Sequence, residues 1–477
     1  MTLLHGLLGA FMIFGSSLVL AQPLPPEVAA AWARARVPLD SVSLLVVDAE
    51  GQAPARLSHR ADIALNPASV MKLVTTYAGL DLLGPAFTWR TPVYADGAVR
   101  DGVLHGNLYI KGQGDPKLVI ERLWLLLRRV QGLGIETIAG DIVLDRSAFE
   151  AVDADAARFD GEPLRPYNAA PDALLLNFKS MALTFVPDRG ANRARVYVEP
   201  PLSGVQVPTS VPLSEEPHAV CGDYRAALKA DFADPTRIRF EGSYPASCAE
   251  KVWSVAYADP PSYSVRAVQG LWRQIGGRLG GTVREGRAPA LAPVFEMQSP
   301  SLVDIIRDIN KYSNNVMAQQ LFLTLSLPVP DANGTTSDAV ASMQASRQVL
   351  ARWWRDRIAA DDAPVIDNGS GLSRRERISA QALARLLQTA YRSPYMSELM
   401  SSLPIMGADG TLKRARALPL GSAHLKTGSL RDVAAIAGYV QAASGKRYVL
   451  VALVNHASAS SARPAFDALL DWAVRDN

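Results

Sequence analysis

The chain has 477 residues, which is too long for one ordinary domain and suits two or three. Its 48% hydrophobic residues can form sizeable cores, and 20% charged residues is ordinary for a globular protein. The formal net charge of +3 comes from basic residues spread along the chain. This argues against a nucleic-acid-binding protein and leaves room for a weak attraction to an anionic polymer.

The N-terminal segment is apolar from Leu3 to Ala21 and ends in small residues at the positions typical of signal-peptide cleavage. No Lys or Arg precedes this apolar run, so the usual positive region is reduced to little more than the α-amino group. Residues 1–21 are predicted to be a signal peptide that directs export to the periplasm. The alternative is an uncleaved membrane anchor, for which the run has about the minimum length.

A buried strand over Ser41–Asp48 is predicted next, followed by a helix that opens at Asn66-Pro67. Ser69 and Lys72 fall at the start of this helix, three residues apart and so on one face. The helix start carries partial positive charge and unpaired N–H groups, which favour a developing anion beside Ser69. A serine hydroxyl needs a base to become a good nucleophile. Lys72 can be that base only if its pKa is lowered.

From about Phe87 to Ala290 the sequence changes to short strand-like runs with many prolines and Gly-x-Gly turns. One helical segment, Leu118–Gln131, interrupts them. Cys221 and Cys248 both lie in this stretch, and an exported chain would allow them to form a disulfide; the alternative is two free buried thiols. The two cysteines and six histidines show no metal-ligand spacing, so neither a metal nor a cofactor is predicted.

From Ser299 onward the residue pattern is again typical of helices. Ser299 is predicted to cap a helix over Leu302–Ile309, and a second helix is predicted over Val316–Leu325. The break between them contains Ser313-Asn314-Asn315. The C-terminal region predicts three strands and a final helix, over Ser422–Ser429, Val433–Gln441, Tyr448–Asn455 and Ala462–Val474. Lys426-Thr427-Gly428 lies on the first of these strands.

Together and in this order, S-x-x-K at Ser69–Lys72, S-x-N at Ser313–Asn315 and K-T-G at Lys426–Gly428 form the signature of enzymes that use serine against β-lactams and D-alanyl peptides. The chain resembles the serine penicillin-recognising enzymes. Among them it is most similar to the D-alanyl-D-alanine carboxypeptidase/endopeptidase family, the class C low-molecular-mass penicillin-binding proteins of peptidase family S13. The run D-N-G-S-G-L-S-R at 367–374 and the run G-A-D-G-T-L at 407–412 resemble motifs of the same family.

The resemblance implies an α+β fold, with a serine β-lactamase/penicillin-binding-protein-like antiparallel sheet flanked by helices and a large β-rich insertion. Because the first motif must meet the other two, the catalytic domain is predicted to be discontinuous, formed by 22–86 plus 291–477. The inserted module, 87–290, is predicted to contain two subdomains, with about 112–178 nested within 87–111 plus 179–290.

In the pattern of this family, Ser69 is the nucleophile and Lys72 is its base. Burial and the charge of Lys426 are expected to lower the pKa of Lys72. Ser313 is expected to carry the proton to the leaving amine. The predicted reaction is D-Ala-D-Ala carboxypeptidase action, together with endopeptidase action on D-alanyl cross-links.

Six residues are predicted to bind substrate: Asn315, Lys426, Thr427, Gly428, Ser429 and Arg374. Lys426 and Thr427 would hold the terminal carboxylate of the peptide, and Gly428 would let the substrate lie close to the strand. By resemblance to the family, the backbone N–H groups of Ser69 and Ser429 would form the oxyanion hole. Arg374 is expected to meet a carboxylate of the peptide stem.

Several alternatives stay open. Tyr312-Ser313-Asn314 also fits a Y-x-N motif of other relatives. A serine β-lactamase is a second candidate function, although no convincing E-x-x-x-N segment precedes Ser313 to speed deacylation. A catalytically inactive wall-binding protein is a third. A Ser-His-Asp hydrolase is disfavoured because no G-x-S-x-G motif accompanies the histidines. His424, two residues before Lys426, is predicted to be a polar strand residue, and contact with substrate is the alternative.

The predicted partners are peptidoglycan peptides and β-lactams, with no nucleic acid. A loose association with membrane or wall is open, and the sequence does not indicate an oligomeric state.

Overall fold

The structure is a computed structural model that describes residues 23–152, 155–214, 221–327, 340–359, 361–415 and 420–476. The predicted signal peptide, 1–21, lies outside the described residues. Within the described ranges, no helix has the length and apolar character needed to cross a bilayer.

The helices are α1 Pro26–Ala35, α2 Lys72–Leu83, α3 Ile120–Gly132, α4 Tyr224–Leu228, α5 Pro260–Gln274, α6 Leu302–Lys311, α7 Asn315–Thr324, α8 Met343–Arg357, α9 Ala380–Tyr391, α10 Met396–Ser402 and α11 Arg463–Arg475. The strands of the first sheet are β1 Val42–Asp48, β2 Leu57–His59, β18 Ala423–Leu430, β19 Val433–Gln441 and β20 Arg447–Asn455. The remaining strands are β3 Arg90–Ala95, β4 Val99–Arg100, β5 Val103–Leu104, β6 Leu108–Lys111, β7 Thr137–Ile138, β8 Ile142–Asp145, β9 Ser180–Asp188, β10 Arg193–Glu199, β11 Ser210–Pro212, β12 Ala230–Asp231, β13 Arg239–Phe240, β14 Lys251–Ala256, β15 Arg278–Leu279, β16 Val283–Glu285 and β17 Phe295–Gln298.

The first sheet is fully antiparallel, with the order β18-β19-β20-β1-β2. Alternate residues of β20 face opposite ways, as strand geometry requires. Val449, Val451 and Leu453 pack into a core with α2, α6, α7, α8, α9 and α10. Leu450, Ala452 and Val454 pack into a second core with α1 and α11. The predicted antiparallel sheet flanked by helices is therefore confirmed.

The inserted region has its own hydrophobic core, which runs from Val93 to Phe295 and is separate from the two cores of the first sheet. It contains a five-stranded sheet (β16-β8-β6-β3-β17), two four-stranded sheets (β15-β7-β5-β4 and β11-β10-β9-β14) and the pair β12-β13. Cys221 and Cys248 form a disulfide in this region, with Cys248 buried in the core. The free-thiol alternative is thus wrong.

The strand pairing divides the insertion differently from the sequence prediction. β17 lies beyond residue 290 but pairs with β3, so it joins a sheet of the insertion. β7 and β8 lie within 112–178 but pair in parallel with β5 and β6, so that segment has no sheet of its own. Such pairing joins segments that are far apart in sequence, and local patterns do not reveal it. The division of the chain into domains stays a prediction.

The helix before the S-x-N motif begins differently from the prediction. Ser301, not Ser299, is the N-cap of α6, and its hydroxyl accepts the backbone N–H of Asp304. The Ser299 hydroxyl instead accepts the backbone N–H of Trp89, 3.0 Å away. Ser299 therefore ties the return of the chain from the insertion to the segment that leads into it.

Candidate active site

The S-x-x-K motif lies on a tight turn at the start of α2. Residues Ala68–Met71 form one turn of 3₁₀-helix, and Lys72 begins the α-helix proper. Ala68 has a left-handed backbone (φ 46°), and its N–H is accepted 2.9 Å away by the side chain of Asn66. The Asn66 amide also donates to the Ser373 carbonyl, 2.9 Å away. The turn that carries Ser69 is thus held in a conformation that an isolated helix start would not adopt.

Lys72 is fully buried, and its amine lies 2.9 Å from Ser69 Oγ and 2.7 Å from Asn315 Oδ1. It also donates to the backbone carbonyl of Ser370. Carbonyl oxygens only accept hydrogen bonds. A neutral amine therefore directs its two N–H bonds to Asn315 and Ser370, and its lone pair remains for the hydroxyl hydrogen of Ser69. This is the geometry that a general base requires.

The electrostatic surroundings of Lys72 favour the neutral form. Burial, reinforced by the nearby charge of Lys426, holds the pKa of Lys72 well below its ordinary value, while Glu376 acts in the opposite direction. The direction and both causes agree with the sequence prediction.

Ser313 and Lys426 form a second hydrogen-bonded pair beside the first. Ser313 lies between α6 and α7 with a left-handed backbone (φ 57°), and Asn314 caps α7 by accepting the N–H of Met317. Lys426 Nζ lies 2.9 Å from Ser313 Oγ and 2.7 Å from the carbonyl of Thr427. Burial lowers the pKa of Lys426 to about 7.

The K-T-G strand passes directly over the nucleophile turn. A Cβ on Gly428 would lie 3.1 Å from Ser69 N and 2.5 Å from the Pro67 carbonyl oxygen, and the second distance is closer than packed atoms tolerate. Glycine is therefore needed for β18 to approach Ser69. Thr427 Oγ1 lies 2.8 Å from Thr411 Oγ1, which belongs to the G-A-D-G-T-L run.

The motifs border one cavity of about 550 Å³, a size typical of small-ligand sites. Ser69, Ser313, Thr427, Gly428 and Ser429 all line it. The structure thus places these five residues around one space, with Lys72, Asn315 and Lys426 buried behind it.

Arg374 lies apart from this cavity. Its guanidinium donates to Asp432, 2.7 Å away, and covers the ring of Phe159 at 4.9 Å. It borders a different cavity. A role for Arg374 toward a substrate carboxylate stays a prediction. His424 also lies outside the Ser69 cavity, and its ring contacts the Met400 carbonyl at 3.2 Å.

Two backbone carbonyls and one carboxyl group of the site were missed by the sequence reasoning. The Ser370 carbonyl accepts from Lys72, and the Tyr167 carbonyl of the insertion lies 3.4 Å from the Asn315 amide nitrogen. Glu376 is fully buried and influences Lys72. The D-N-G-S-G-L-S-R run pointed to the region of Ser370, but only as a glycine turn.

A family model described as the D-Ala-D-Ala carboxypeptidase 3 (S13) family matches residues 25–475. The chain belongs to this family. The predicted family is therefore confirmed, and with it the assignment as a serine-type carboxypeptidase, a hydrolase.

Two curated members of the S13 family align with most of the chain. The D-alanyl-D-alanine carboxypeptidase DacB of Haemophilus influenzae is 25% identical over 397 residues, covering 81% of this chain and 80% of that protein. The D-alanyl-D-alanine carboxypeptidase of Actinomadura sp. strain R39 is 27% identical over 403 residues, covering 80% of this chain and 72% of that protein.

Solved structures agree with the S13 fold. Penicillin binding protein 4 (dacB) from Haemophilus influenzae matches with a TM-score of 0.71 at 22% identity, covering 93% of this chain and 98% of that one. A second structure of that protein, complexed with a β-lactam, matches with a TM-score of 0.65 at 23% identity, covering 90% and 93%. At these identities the likeness shows the fold alone.

Proposed function

We propose that this S13 protein is a D-Ala-D-Ala carboxypeptidase that cleaves peptidoglycan stem peptides through an acyl-enzyme on Ser69, and that it also opens D-alanyl cross-links. The proposal rests chiefly on one observation: the buried Lys72 amine faces Ser69 Oγ at 2.9 Å while two acceptors hold its N–H groups. The names of the relatives, which are D-alanyl-D-alanine carboxypeptidases, support this substrate class.

Acylation proceeds in two proton-coupled steps. The Ser69 hydroxyl passes its proton to Lys72 Nζ as Oγ bonds to the carbonyl carbon between the two D-alanines. The resulting oxyanion is stabilised by the backbone N–H groups of Ser69 and Ser429, where one donor is worth about a hundredfold or more in rate. When the intermediate collapses, the C–N bond breaks and the proton that Lys72 took from Ser69 passes through Ser313 to the leaving amine, which returns Lys72 to the neutral form. Lys426, 2.9 Å from Ser313 Oγ, orients this hydroxyl and keeps its own charge.

Deacylation completes the cycle. Water attacks the Ser69 ester, its proton passes through the Lys72 amine, and Ser69 regains its hydroxyl hydrogen. Penicillin would acylate the same Ser69 oxygen: its β-lactam C–N bond breaks as the ester forms, and the opened ring stays in the site. The β-lactam complex of the Haemophilus protein supports this extension.

Substrate binding follows from the same residues. Lys426 and Thr427 hold the terminal carboxylate, and the Asn315 amide bonds to the peptide backbone of the substrate. The proposal also includes export to the periplasm. Two observations support export: the apolar run 3–21 and the Cys221–Cys248 disulfide, since disulfides persist in oxidising compartments.

The test of this function combines benzylpenicillin labelling with product analysis. Mass spectrometry should find a long-lived adduct on the peptide that contains Ser69, and a D-Ala-D-Ala stem peptide should release D-alanine. Ser69→Ala should show neither. Rapid penicillin hydrolysis without a lasting adduct would instead assign a β-lactamase, and no reaction with either substrate would assign an inactive wall-binding protein.

The activity should depend on pH through both lysines. Lys72 must be neutral, so kcat/KM rises as pH increases through its strongly lowered pKa. Lys426 must be charged to hold the carboxylate, so kcat/KM falls as pH rises through its pKa of about 7. A matched peptide amide lacks the terminal carboxylate and should lose the falling limb. The same falling limb for both substrates would contradict this role of Lys426.

A further inference from the structure

Glu376 binds three successive backbone N–H groups with one oxygen atom. Its Oε1 accepts from Asp367 at 3.2 Å, Asn368 at 3.1 Å and Gly369 at 3.0 Å. The side chain is fully buried, and among the described residues its Oε2 has no hydrogen-bond partner. Glu376 thus fixes the backbone path of the segment 367–369.

This segment, continued to residue 371, packs against the S-x-x-K turn at three points. The Ser370 carbonyl accepts from the Lys72 amine. The Gly369 carbonyl accepts from Thr75 Oγ1 at 2.6 Å. Gly371 lies so close to the turn that a Cβ there would be 2.0 Å from the Ala68 carbonyl oxygen. A change in the path of 367–371 would therefore move the acceptor that orients Lys72.

Both burial and a neighbouring carboxylate make the ionised form of Glu376 unfavourable. A role limited to binding three backbone N–H groups does not account for a carboxyl group at this position. Burial, together with the nearby charge of Asp367, raises the pKa of Glu376 to about 7 against the opposite effect of its three N–H bonds. Asp367 is itself paired with Arg347 and Arg375. Buried carboxyl groups with perturbed pKa values cluster at functional sites.

We propose that Glu376 is a positioning residue for acylation: by holding the segment 367–371, it keeps the Ser370 carbonyl where it aims the lone pair of Lys72 at Ser69. This inference rests on the proposed function, because it assumes that Lys72 is the base for Ser69. It assigns to Glu376 no contact with substrate. Glu376 therefore affects the rate at which Ser69 is acylated, and it does not affect the affinity of the initial complex that forms before acylation.

The test measures benzylpenicillin acylation by stopped-flow, which separates the dissociation constant of the initial complex from the maximal acylation rate. Glu376→Ala should reduce the maximal rate about a hundredfold, since small misplacements of reacting groups cost that much. The dissociation constant should change little. Glu376→Gln retains a carbonyl oxygen for the three N–H groups, so it should restore most of the rate.

A matched control separates positioning from general destabilisation. Asp115 is also buried and accepts a backbone N–H, from Lys117 at 2.8 Å, but it lies in the insertion. Asp115→Ala should lower the melting temperature and leave the maximal acylation rate unchanged. If Glu376→Ala does not fold, Glu376→Asp withdraws the carboxylate by one methylene, and its maximal rate should also fall, by up to about a hundredfold.

The outcomes distinguish this inference from the function on which it rests. If the wild type forms no lasting adduct at Ser69, the proposed function fails. If the wild type is acylated and the Glu376 variants match its maximal rate, the function stands and the positioning role is overturned. Equal losses in Glu376→Ala and Glu376→Gln, or a loss confined to the dissociation constant, also overturn it.

Discussion

Lys72→Met should reduce the rate of Ser69 acylation by about 10²- to 10⁴-fold, the usual contribution of a general base. Methionine has a similar length and suits a fully buried site, so the fold should persist. The variant removes the amine that lies 2.9 Å from Ser69 Oγ, and this amine is the one hydrogen-bond partner of that hydroxyl among the described residues. Stopped-flow acylation by benzylpenicillin measures the loss.

The control for Lys72→Met is Lys446→Met, which removes an exposed lysine in the turn between β19 and β20. Its acylation rate should equal that of the wild type. If Lys72→Met is acylated at nearly the wild-type rate, Lys72 is not the base. The Ser313–Lys426 pair, joined at 2.9 Å, would then be the next candidate.

The side chains of the site were predictable because each motif combines residue type with spacing. Ser69 and Lys72 are three residues apart, which places them on one face of any helical turn. Lys426 was expected to lower the pKa of Lys72, since a second cation must lie nearby if both motifs border one cleft. The structure agrees on both points.

The backbone contributions were not predictable from residue type. Any residue can offer the carbonyl that Ser370 presents to Lys72 or that Tyr167 presents to Asn315. The left-handed backbones of Ala68 and Ser313 arise from tertiary packing, because local propensity disfavours them. Glu376 was overlooked for a similar reason: its partners are backbone N–H groups, which leave no pattern in the sequence.

The strand pairing was likewise predictable only in part, because pairs of strands that are distant in sequence leave no local pattern. The three C-terminal strands were predictable as strands, and they pair with their neighbours along the chain through short turns. In the insertion, β8 pairs in parallel with both β6 and β16, and β16 lies more than a hundred residues further along the chain. Local alternation of apolar residues cannot identify such partners.

Asp172→Ala should destabilise the protein by about 3–5 kcal/mol, because it leaves a buried lysine without its counter-ion. Asp172 is almost completely buried and pairs with Lys179 Nζ at 2.8 Å and with Arg146 Nε at 2.9 Å. Burial opposes its ionisation, but Lys179 and Arg146 hold the pKa of Asp172 below its ordinary value. Lys179 is itself only 5% exposed, so water cannot replace the lost carboxylate.

Asp172 also connects the insertion to α7, the helix that carries Asn315. Gln320 on α7 accepts the Asp172 N–H at 2.8 Å and donates to the Asp172 carbonyl at 2.9 Å. Asn315, at the start of α7, contacts both Lys72 and the Tyr167 carbonyl. Asp172→Ala should therefore slow Ser69 acylation as well as lower the free energy of unfolding, because it disturbs the backbone that Gln320 binds.

Urea denaturation near pH 7 measures the effect on stability, and Glu136→Ala is the matched control. Glu136 pairs with Arg278 at 3.4 Å, but both side chains are about 70% exposed, so the loss of this pair should lower the free energy of unfolding by about 1 kcal/mol or less.

The lowered pKa of Asp172 also fixes the direction in which its contribution to stability changes with pH. Its stabilisation is complete above its unfolded pKa of about 4 and is lost as pH falls through the folded value, so the difference between wild type and Asp172→Ala should shrink in acid. An equal loss for the Asp172 and Glu136 variants, or a difference that grows in acid, would mean that the ion pairs of the buried Asp172 carboxylate do not stabilise the fold.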